Sequence, residues 1–420
     1  MEKLIVEGGH RLQGEIPIHG AKNGALPVLA ATLLADGASV IENCPDLADV
    51  RASAAILRWL GCKVTFDHGT ATVDPAGLCR SDVPHRLMRE MRSSIVFLGA
   101  IAARTGEADL SFPGGCELGP RPIDLHLSAL RRMGMTVREE GGALCCRCNG
   151  GLRGADIPLA FPSVGATENV LLAAVTAKGV TTITNAAREP EIRDLCDYLR
   201  RCGARIAGDG EGVIRIEGVP RLHGGTHRVL PDRIEAATFL AGGAVTGGSI
   251  TLRGAKPAHL AAVLPVFEEA GCDLRLTEDT VSLRAPKRLR RIKTVRTMPY
   301  PGFPTDAQAP LMAMACVAEG TSVFVENIFE SRYRHVDELA RLGARIKVEG
   351  RVAVVDGVSR LSGAPVECTD LRGGAALVIA ALAAQGETTV TALHHLDRGY
   401  EDLAGCLTRA GAVVRRVKDR

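Results

Sequence analysis

One of the thirteen cysteines, Cys116, lies in a glycine-rich stretch beside a cation, FPGGCELGPRPIDLH at residues 112–126. The surrounding glycines predict a flexible loop, and no apolar periodicity predicts that the thiol is buried. Arg121 follows five residues later, and a nearby cation favours the thiolate and lowers the pKa of a thiol from about 8.5. The spacing therefore indicates a reactive thiol on a loop; the alternative is an incidental exposed cysteine.

Other cations recur at equivalent places, next to predicted helix starts. Helix N-termini carry unsatisfied N–H groups and a positive partial charge, so they attract anions. Arginine also matches the geometry of phosphate and carboxylate groups. Any one of these cations could belong to a solvated surface ion pair, but their recurrence favours a ligand with several negative charges, bound between two domains. The cations are Lys22, Arg92, Arg121, Arg332, Arg372 and Arg398.

Two aspartates stand where predicted helices begin. Asp306, in GFPTDAQAP, either caps its helix or acts as a carboxylate base, and its position alone does not decide between these roles. Asp232, in the equivalent segment LPDRIEA, we interpret as a helix cap. The basic run at residues 284–296 lies between repeats, and we interpret it as a solvated connector.

The elements that must position these residues repeat six times, with a period of roughly 70 residues. Each copy reads as an Ala/Leu-rich helix, a glycine, a β-rich run, a loop, a second helix and a second glycine. A glycine in the left-handed conformation commonly ends a helix, and the runs that follow alternate like strands. The first glycines are Gly37, Gly106, Gly179, Gly248, Gly320 and Gly386, and the second are Gly61, Gly134, Gly203, Gly271, Gly343 and Gly411.

Six repeats over 420 residues predict an α/β protein with two domains of three repeats each. Residues 21–229 form the first domain, which carries the Cys116 loop. Residues 1–20 plus 230–420 form the second, with residues 1–20 supplying strands to the C-terminal half. We expect the active site in the cleft between the two domains.

Composition limits the partners. A net charge of +3 argues against wholesale binding to nucleic acid or to an anionic membrane. The longest apolar run, Ala375–Ala384, is far shorter than the roughly 20 residues that span a bilayer, and no signal peptide is visible. An odd number of scattered cysteines predicts free thiols in a reducing cytoplasm.

No metal or cofactor is expected. The cysteine cluster ALCCRCNG lacks a second ligand pair, so we interpret Cys145, Cys146 and Cys148 as part of a strand that ends in a turn at residues 149–151. No acidic ligand cluster is present either, and arginine and lysine can meet the charge of a phosphate.

Taken together, these stretches resemble one family over the whole chain, the enolpyruvyl transferases that act on UDP-N-acetylglucosamine. No single motif would suffice, but the combination is highly specific. The matching stretches are GAKNGALPVLAA at 20–31, RSSIVFLGA at 92–100, FPGGCELGPRPIDLH at 112–126, PSVGATEN at 162–169, NAAREPEI at 185–192, LPDRIEA at 230–236, GFPTDAQAP at 302–310, DLRGGAAL at 370–377 and DRGYEDL at 397–403.

The resemblance implies a two-domain fold in which each domain is an inside-out α/β barrel of three repeats with helices in its core. It also implies a reaction, in which phosphoenolpyruvate and UDP-N-acetylglucosamine give the 3-enolpyruvyl ether and inorganic phosphate through a tetrahedral phospho-ketal. Such chemistry needs an acid, a base and several cations. The implied partners are these two small molecules, and the sequence does not fix the oligomeric state.

Roles follow by motif. Cys116 is implied as the general acid, on a lid, and can also form a covalent phosphoenolpyruvate adduct; Asp306 is implied as the base and Asp370 as a proton relay. The residues implied for phosphoenolpyruvate are Lys22, Asn23, Arg121, Arg332, Arg372 and Arg398, with Lys22 and Arg398 also catalytic. Those implied for the sugar nucleotide are Asn23, Arg92, Arg121, Pro122, Ile123, Asp124, Leu125, Ser163, Val164, Gly165, Asp306 and Ile328. Pro120 departs from the family, which usually has a small residue there.

Three alternatives remain. A 3-phosphoshikimate 1-carboxyvinyltransferase shares the fold and the chemistry, but the cysteine lid and PSVGATEN argue against it. A non-catalytic paralogue that binds the sugar nucleotide could have lost Cys116, Lys22 or Asp306, and all three are present. A cysteine hydrolase would need a base such as His126, and no oxyanion hole is recognisable.

Overall fold

The computed structural model describes residues 2–112 and 123–418. Within this part of the chain the contacts separate two compact bodies. Domain A comprises residues 20–112 and 123–230, and domain B comprises residues 2–19 and 231–418. The second domain is therefore made from two separate parts of the sequence.

Each domain holds three four-stranded sheets of one pattern. The first two strands of each sheet run parallel, and the remaining neighbours run antiparallel. In domain A the strands, in sheet order, are Thr226–Arg228, Ser39–Glu42, Thr70–Asp74 and Lys63–Asp67; Asp82–Val83, Glu107–Ser111, Ala143–Arg147 and Thr136–Glu140; and Asp156–Pro158, Val180–Thr184, Val213–Glu217 and Arg205–Ala207.

The sheets of domain B follow the same order. Their strands are Gln13–Pro17, Ser249–Arg253, Thr280–Arg284 and Asp273–Leu276; Thr294–Arg296, Thr321–Val325, Val352–Asp356 and Arg345–Glu349; and Pro365–Glu367, Glu387–Thr391, Glu2–Glu7 and Val413–Lys418. Two short parallel pairs complete the described strands, Ala35–Asp36 with Leu222–His223 and Leu361–Ser362 with Ala384–Gln385.

Both domains close into rings because each sheet borrows its parallel edge strand from a neighbouring repeat. In domain A, Thr226–Arg228 at the end of the third repeat pairs with Ser39–Glu42 of the first. In domain B, Gln13–Pro17 pairs with Ser249–Arg253, and Glu2–Glu7 lies between Glu387–Thr391 and Val413–Lys418. Glu2–Glu7 and Gln13–Pro17 thus both pair with strands of the C-terminal half.

One long helix from each repeat lies in the middle of its domain. These helices are rich in Ala, Leu and Val and are buried almost all round, as expected for helices without a polar face. Most of their charged residues stand in the first turn, so charge collects at the N-terminal ends. The central helices are Lys22–Ala31, Phe97–Thr105 and Val164–Ala174 in domain A, and Arg233–Val245, Thr305–Ala315 and Leu371–Ala383 in domain B.

The remaining helices are shorter or amphipathic. Pro190–Arg201 begins with proline, and Ile192, Leu195 and Leu199 are buried along one face. The others are Ala48–Leu60, His85–Glu90, Asp124–Arg132, Leu264–Glu269, Val336–Arg341 and Leu403–Arg409, with 3₁₀ turns at Thr32–Leu34, Pro75–Gly77, Arg92–Val96, Pro257–Leu260 and Leu393–Arg398. No helix in the described ranges is long and apolar enough to cross a membrane.

The glycine predictions hold with one correction. Every glycine of the second set has a positive φ, as does every glycine of the first set except Gly248. There Gly247 takes the left-handed conformation (φ 63°) instead. Gly248 is required for another reason, because a Cβ would lie 2.2 Å from the carbonyl oxygen of Leu12. The cysteine cluster also folds as predicted, as the strand Ala143–Arg147 followed by a turn.

Candidate active site

In domain B, the carboxylate of Asp306 lies between two buried arginines. Asp306 stands in the first turn of the helix Thr305–Ala315, and its Oδ1 accepts a hydrogen bond from Arg332 Nη2 at 2.8 Å. Its Oδ2 accepts one from Arg372 Nη2 at 3.2 Å. Both arginine side chains are nearly inaccessible, whereas that of Asp306 is 27% exposed. The helix has Pro304 at its N-cap position and no side-chain cap, so the cap interpretation of Asp306 is wrong.

The two arginines have hydrogen-bonding capacity beyond Asp306. Arg332 Nε and Arg372 Nε and Nη1 are buried without a hydrogen-bond acceptor among the described residues. Burial alone would lower the pKa of Arg372, but Tyr400, Asp306 and Asp232 raise it above its ordinary value. Domain B therefore presents charged guanidinium donors next to a carboxylate, an arrangement suited to a small anion.

Helix caps fix the ends of the neighbouring helices. Asp370 Oδ1 accepts hydrogen bonds from the backbone N–H groups of Arg372 and Gly373, each at 3.0 Å. Asp232 accepts them from Ile234 and Glu235, at 2.8 and 3.0 Å. The cap interpretation of Asp232 is confirmed, and the relay role of Asp370 stays a prediction for a residue whose observed contacts include those of a cap.

A buried glutamate that was not predicted from the sequence holds the backbone of Ile328 and Phe329, named here the Ile328 segment. Glu326 is 1% exposed, and its Oε1 accepts hydrogen bonds from the N–H groups of Ile328 at 2.8 Å and Phe329 at 3.0 Å. Its Oε2 accepts one from the Thr305 hydroxyl at 2.9 Å, one residue before Asp306. The only sequence signal was an acid directly after the apolar strand Thr321–Val325. Arg398 lies half-buried at the end of the turn Leu393–Arg398.

In domain A, Lys22 opens the first central helix and pairs with a buried acid. Its Nζ lies 3.2 Å from Asp49 Oδ2, and both side chains are buried. Asp49 stands in the first turn of Ala48–Leu60, where the helix dipole favours a negative charge. Asn23 follows Lys22 and is half-buried. The lysine is thus held at a helix start, with its charge balanced by an acid.

The segments implied for the sugar nucleotide come together in domain A. Arg92 begins the turn Arg92–Val96, and Ile123, Asp124 and Leu125 lead into His126. Ser163 caps the helix Val164–Ala174 by accepting a hydrogen bond from Ala166 N at 3.3 Å. A Cβ on Gly165 would lie 2.9 Å from His126 Cε1, so the segment at residues 123–126 and the segment at residues 163–165 are in contact.

His126 is buried and uncharged at neutral pH. Burial, and then Arg92, lower its pKa to about 4, against a smaller opposing effect of Asp124. Its ring Nδ1 lies 2.8 Å from Asn169 Nδ2. A neutral imidazole inside the domain does not fit the hydrolase alternative, which needs an accessible base beside Cys116.

Three residues of the sequence predictions lie outside the described residues: Cys116, Arg121 and Pro122, together with the departure at Pro120. Among the residues that are described, no group of three or more His, Cys, Asp or Glu side chains could hold a metal ion. The site residues that can be placed thus form two groups, one in each domain.

The sequence matches the family described as EPSP synthase (3-phosphoshikimate 1-carboxyvinyltransferase) over residues 6–407. It is 48% identical to a UDP-N-acetylglucosamine 1-carboxyvinyltransferase 2 from Caldanaerobacter subterraneus, covering 99% of this chain and 100% of that protein. It is 50% identical to a UDP-N-acetylglucosamine 1-carboxyvinyltransferase 1 from Symbiobacterium thermophilum, covering 99% and 95%.

Solved structures agree on the fold. The enolpyruvyl transferase NikO from Streptomyces tendae superimposes with a TM-score of 0.89 at 28% identity, covering 100% of this chain and 99% of that one. An EPSP synthase from Acinetobacter baumannii gives 0.77 at 19% identity, covering 99% and 100%. The prediction of a two-domain α/β fold built from repeats is confirmed.

Proposed function

The chain belongs to the enolpyruvyl transferase family of EPSP synthase, and we propose that it transfers the enolpyruvyl group of phosphoenolpyruvate to the 3-hydroxyl of UDP-N-acetylglucosamine. Inorganic phosphate is the second product. The observation that carries the proposal is the near-50% identity to two transferases of this specificity over 99% of the chain. The cluster of Asp306, Arg332 and Arg372 supports the proposal, because it combines a candidate base with two cations.

The reaction requires two proton transfers. Carbon 3 of phosphoenolpyruvate gains a proton, which makes carbon 2 electrophilic, and the sugar hydroxyl attacks carbon 2 while losing its own proton. The resulting tetrahedral phospho-ketal then loses phosphate, and a proton leaves carbon 3. Cys116 supplies the first proton and Asp306 accepts the proton of the hydroxyl. Preorganised cations stabilise the charge that develops on the phosphate and carboxylate groups.

The contacts of Asp306 support its role as the base. Arg332 and Arg372 have two roles, one toward Asp306 and one toward the substrate. Arg332 and Arg372 hold the two carboxylate oxygens in place, and their remaining buried donors are available to the anionic groups of phosphoenolpyruvate. An arginine-bound carboxylate is a weak base in isolation. The Asp306 carboxylate becomes a stronger base when the guanidinium groups interact with the anionic groups of the bound substrate instead of with Asp306 alone.

Lys22, Asn23, Arg121 and Arg398 complete the phosphoenolpyruvate site. The ion pair with Asp49, which holds the ammonium group of Lys22 at the start of a central helix, supports the part of Lys22 in this site. The sugar nucleotide is bound by Arg92, by residues 121–125 and 163–165, and by Ile328. Asp370 relays a proton from its position at the start of the helix that carries Arg372.

The cellular role follows from the product. An enolpyruvyl ether of UDP-N-acetylglucosamine is the first committed intermediate of peptidoglycan synthesis, so the protein acts in the cytoplasm in cell-wall growth, cell shape and division. The reaction needs no metal or organic cofactor. Its partners are the two small-molecule substrates, and a covalent adduct of phosphoenolpyruvate forms on Cys116.

Phosphate release tests the proposal. Purified protein is given phosphoenolpyruvate with UDP-N-acetylglucosamine, and in parallel with shikimate 3-phosphate. We expect release only with the sugar nucleotide and a near-complete loss in Cys116→Ser. Release with shikimate 3-phosphate alone would move the chain to the sister activity. Binding of the nucleotide without any release would favour a non-catalytic paralogue.

A further inference from the structure

We propose that Asn169 is a positioning residue for the sugar-nucleotide site, because its carboxamide joins the three segments of domain A that bind the nucleotide. These segments are the turn Arg92–Val96, residues 123–126 and residues 163–165. The inference rests on the proposed function for the identity of the ligand. Asn169 is fully buried in the helix Val164–Ala174. It ends the matching stretch PSVGATEN, but the family resemblance implies no role for it.

The carboxamide contacts the turn Arg92–Val96 and His126, and its Nδ2 also lies 3.5 Å from the carbonyl oxygen of Gly165 in the third segment. Its Oδ1 accepts a hydrogen bond from Gly99 N at 2.7 Å, and its Nδ2 donates to the Ile95 carbonyl oxygen at 3.0 Å. The same Nδ2 lies 2.8 Å from His126 Nδ1. Its own helix begins directly after Ser163, whose side chain caps it.

The contacts with Ile95 and Gly99 fall at a break in helix geometry. The turn Arg92–Val96 is a 3₁₀ helix, and Phe97–Thr105 continues as an α-helix. The Ile95 carbonyl and the Gly99 N–H are the acceptor and donor that an uninterrupted α-helix would join four residues apart. Asn169 meets both with one carboxamide, so it fixes the direction in which the turn carries Arg92.

The approach is close enough to exclude larger residues. A Cβ on Gly99 would lie 2.4 Å from the Asn169 carbonyl oxygen and 3.0 Å from its Oδ1. The two central helices therefore pack backbone to backbone at this point. A shift of the Asn169 side chain would be transmitted to the turn Arg92–Val96, because no flexible side chain lies between them.

The orientation of the carboxamide also fixes the proton on His126. Since the Gly99 N–H can only donate, the atom it meets must be the oxygen of the carboxamide, and the NH₂ group must face His126. His126 Nδ1 therefore accepts, and the proton of the neutral ring lies on Nε2. That edge of the ring faces Gly165, because a Cβ there would lie 3.2 Å from Nε2. The tautomer thus presents an N–H donor to the segment at residues 163–165.

Two variants of the full-length protein test this role. Asn169→Ala removes the contacts of the carboxamide with Gly99, Ile95, His126 and Gly165. Asn169→Asp keeps the shape and can still accept from Gly99, but a carboxylate cannot donate to Ile95 or to His126. In this variant His126 must take a proton on Nδ1, so its pKa rises; Arg92 and Asp124, the charged groups that act on the ring, stay in place.

The matched control is Ser39→Ala. Ser39 is fully buried in the same domain. Its hydroxyl lies 2.9 Å from the Tyr198 hydroxyl and accepts a hydrogen bond from Gly225 N at 3.4 Å, but it contacts none of the three segments. It therefore reports the effect of losing a buried hydrogen bond in domain A alone.

We expect both Asn169 variants to raise the Kd for UDP-N-acetylglucosamine, measured by calorimetry, on the order of tenfold. The KM for phosphoenolpyruvate and the kcat at saturating nucleotide should change little, and Ser39→Ala should bind the nucleotide like the unaltered protein. Nucleotide affinity in Asn169→Asp should also depend on pH between about 5 and 8, where a histidine titrates.

The ring nitrogens of His126 give a second readout. Nitrogen-15 spectra of histidine-labelled protein, assigned with His126→Gln, should show a neutral ring with its proton on Nε2 in the unaltered protein and a proton on Nδ1 in Asn169→Asp. A proton on Nδ1 in the unaltered protein would overturn the inference, as would unchanged nucleotide affinity in both variants. Failure of the unaltered protein to bind the nucleotide would instead overturn the proposed function, and this inference with it.

Discussion

Replacing Asp306 by asparagine tests whether one carboxylate neutralises two buried arginines. The variant keeps the shape of the side chain but removes its negative charge. One oxygen can still accept from Arg332 or Arg372, and the new NH₂ group then faces the donors of the other arginine. Removing one partner of a buried ion pair usually costs about 3–5 kcal/mol, because the remaining charge is left uncompensated.

The contact geometry narrows the expected loss of unfolding free energy in Asp306→Asn. The Asp306 oxygens lie 2.8 and 3.2 Å from the two guanidinium groups, whose side chains are only 2% and 3% exposed. Asp306 itself is 27% exposed, so solvent screens part of the attraction, and the repulsion between the arginines offsets another part. We therefore expect a loss of about 2–4 kcal/mol. At an m-value of about 2 kcal/mol per molar urea, the unfolding midpoint falls by about 1–2 M.

Urea unfolding followed by circular dichroism measures this loss, and Glu15→Gln serves as the control. Glu15 pairs with Arg253 at 2.9 Å in the same domain, but both side chains are more than half exposed, so its variant should not shift the midpoint measurably. A double-mutant cycle with Arg372→Gln should give an interaction energy of at least about 1 kcal/mol. If Asp306→Asn unfolds at the same urea concentration as the control, the charge-compensation argument is wrong. Turnover should fall by roughly 10²- to 10⁴-fold whichever way stability responds, because the base is lost.

Three further predictions follow from other contacts. Glu326→Ala should raise the KM for the sugar nucleotide several-fold by releasing the Ile328 segment, and Glu326→Gln, which keeps an acceptor oxygen, should stay near the unaltered value; equal kinetics for the two variants would contradict this. Gly165→Ala should weaken nucleotide binding, because its Cβ would meet His126 at 2.9 Å; unchanged binding in titration calorimetry would show that the ring can move away. The pKa values of His126 and His335 are both lowered to about 4, chiefly by burial, so the unfolded chain binds more protons between about pH 6.5 and 4. The contribution of these two histidines to stability, complete above about pH 6.5, should therefore decline as the pH falls through this window. Burial raises the pKa of Glu168 and of Glu235, which acts in the opposite direction, so the test compares the unaltered protein with His335→Gln; the same pH dependence of the urea midpoint in both would refute the prediction.

Local patterns were sufficient to predict the architecture. Alternating β-branched runs, apolar helices and terminal glycines recur six times, and each recurrence reinforces the others. Asp232 was recognised as a cap because its signal lies within three residues of the helix it caps. The error at Gly248 has an equally local cause, since two adjacent glycines offered the left-handed conformation and the structure uses Gly247.

The interior of the site could not be predicted in the same way. Asp306 meets Arg372 across 66 positions of the chain, and Asn169 meets Ile95 across 74. Such contacts depend on which helix ends are brought together when each domain closes into a ring. No local sequence pattern indicates that a given asparagine or glutamate will make one of these contacts. The family resemblance supplied candidate roles for Asp306 and Arg372. It gave no role to Glu326 or to Asn169, although Asn169 ends the matching stretch PSVGATEN at 162–169. The role of Cys116 stays a prediction.

The strand Glu2–Glu7 also sets the order in which the molecule can be completed during synthesis. It emerges from the ribosome before every other element that the structure describes, yet its two neighbours are Glu387–Thr391 and Val413–Lys418. At typical elongation rates of about 5–20 residues per second, it waits roughly 20–80 s for them. Domain A needs no such delay, because all its described strands lie between residues 35 and 228. A nascent chain can therefore carry one finished domain while both hydrogen-bonding edges of Glu2–Glu7 stay open to pairing with other chains.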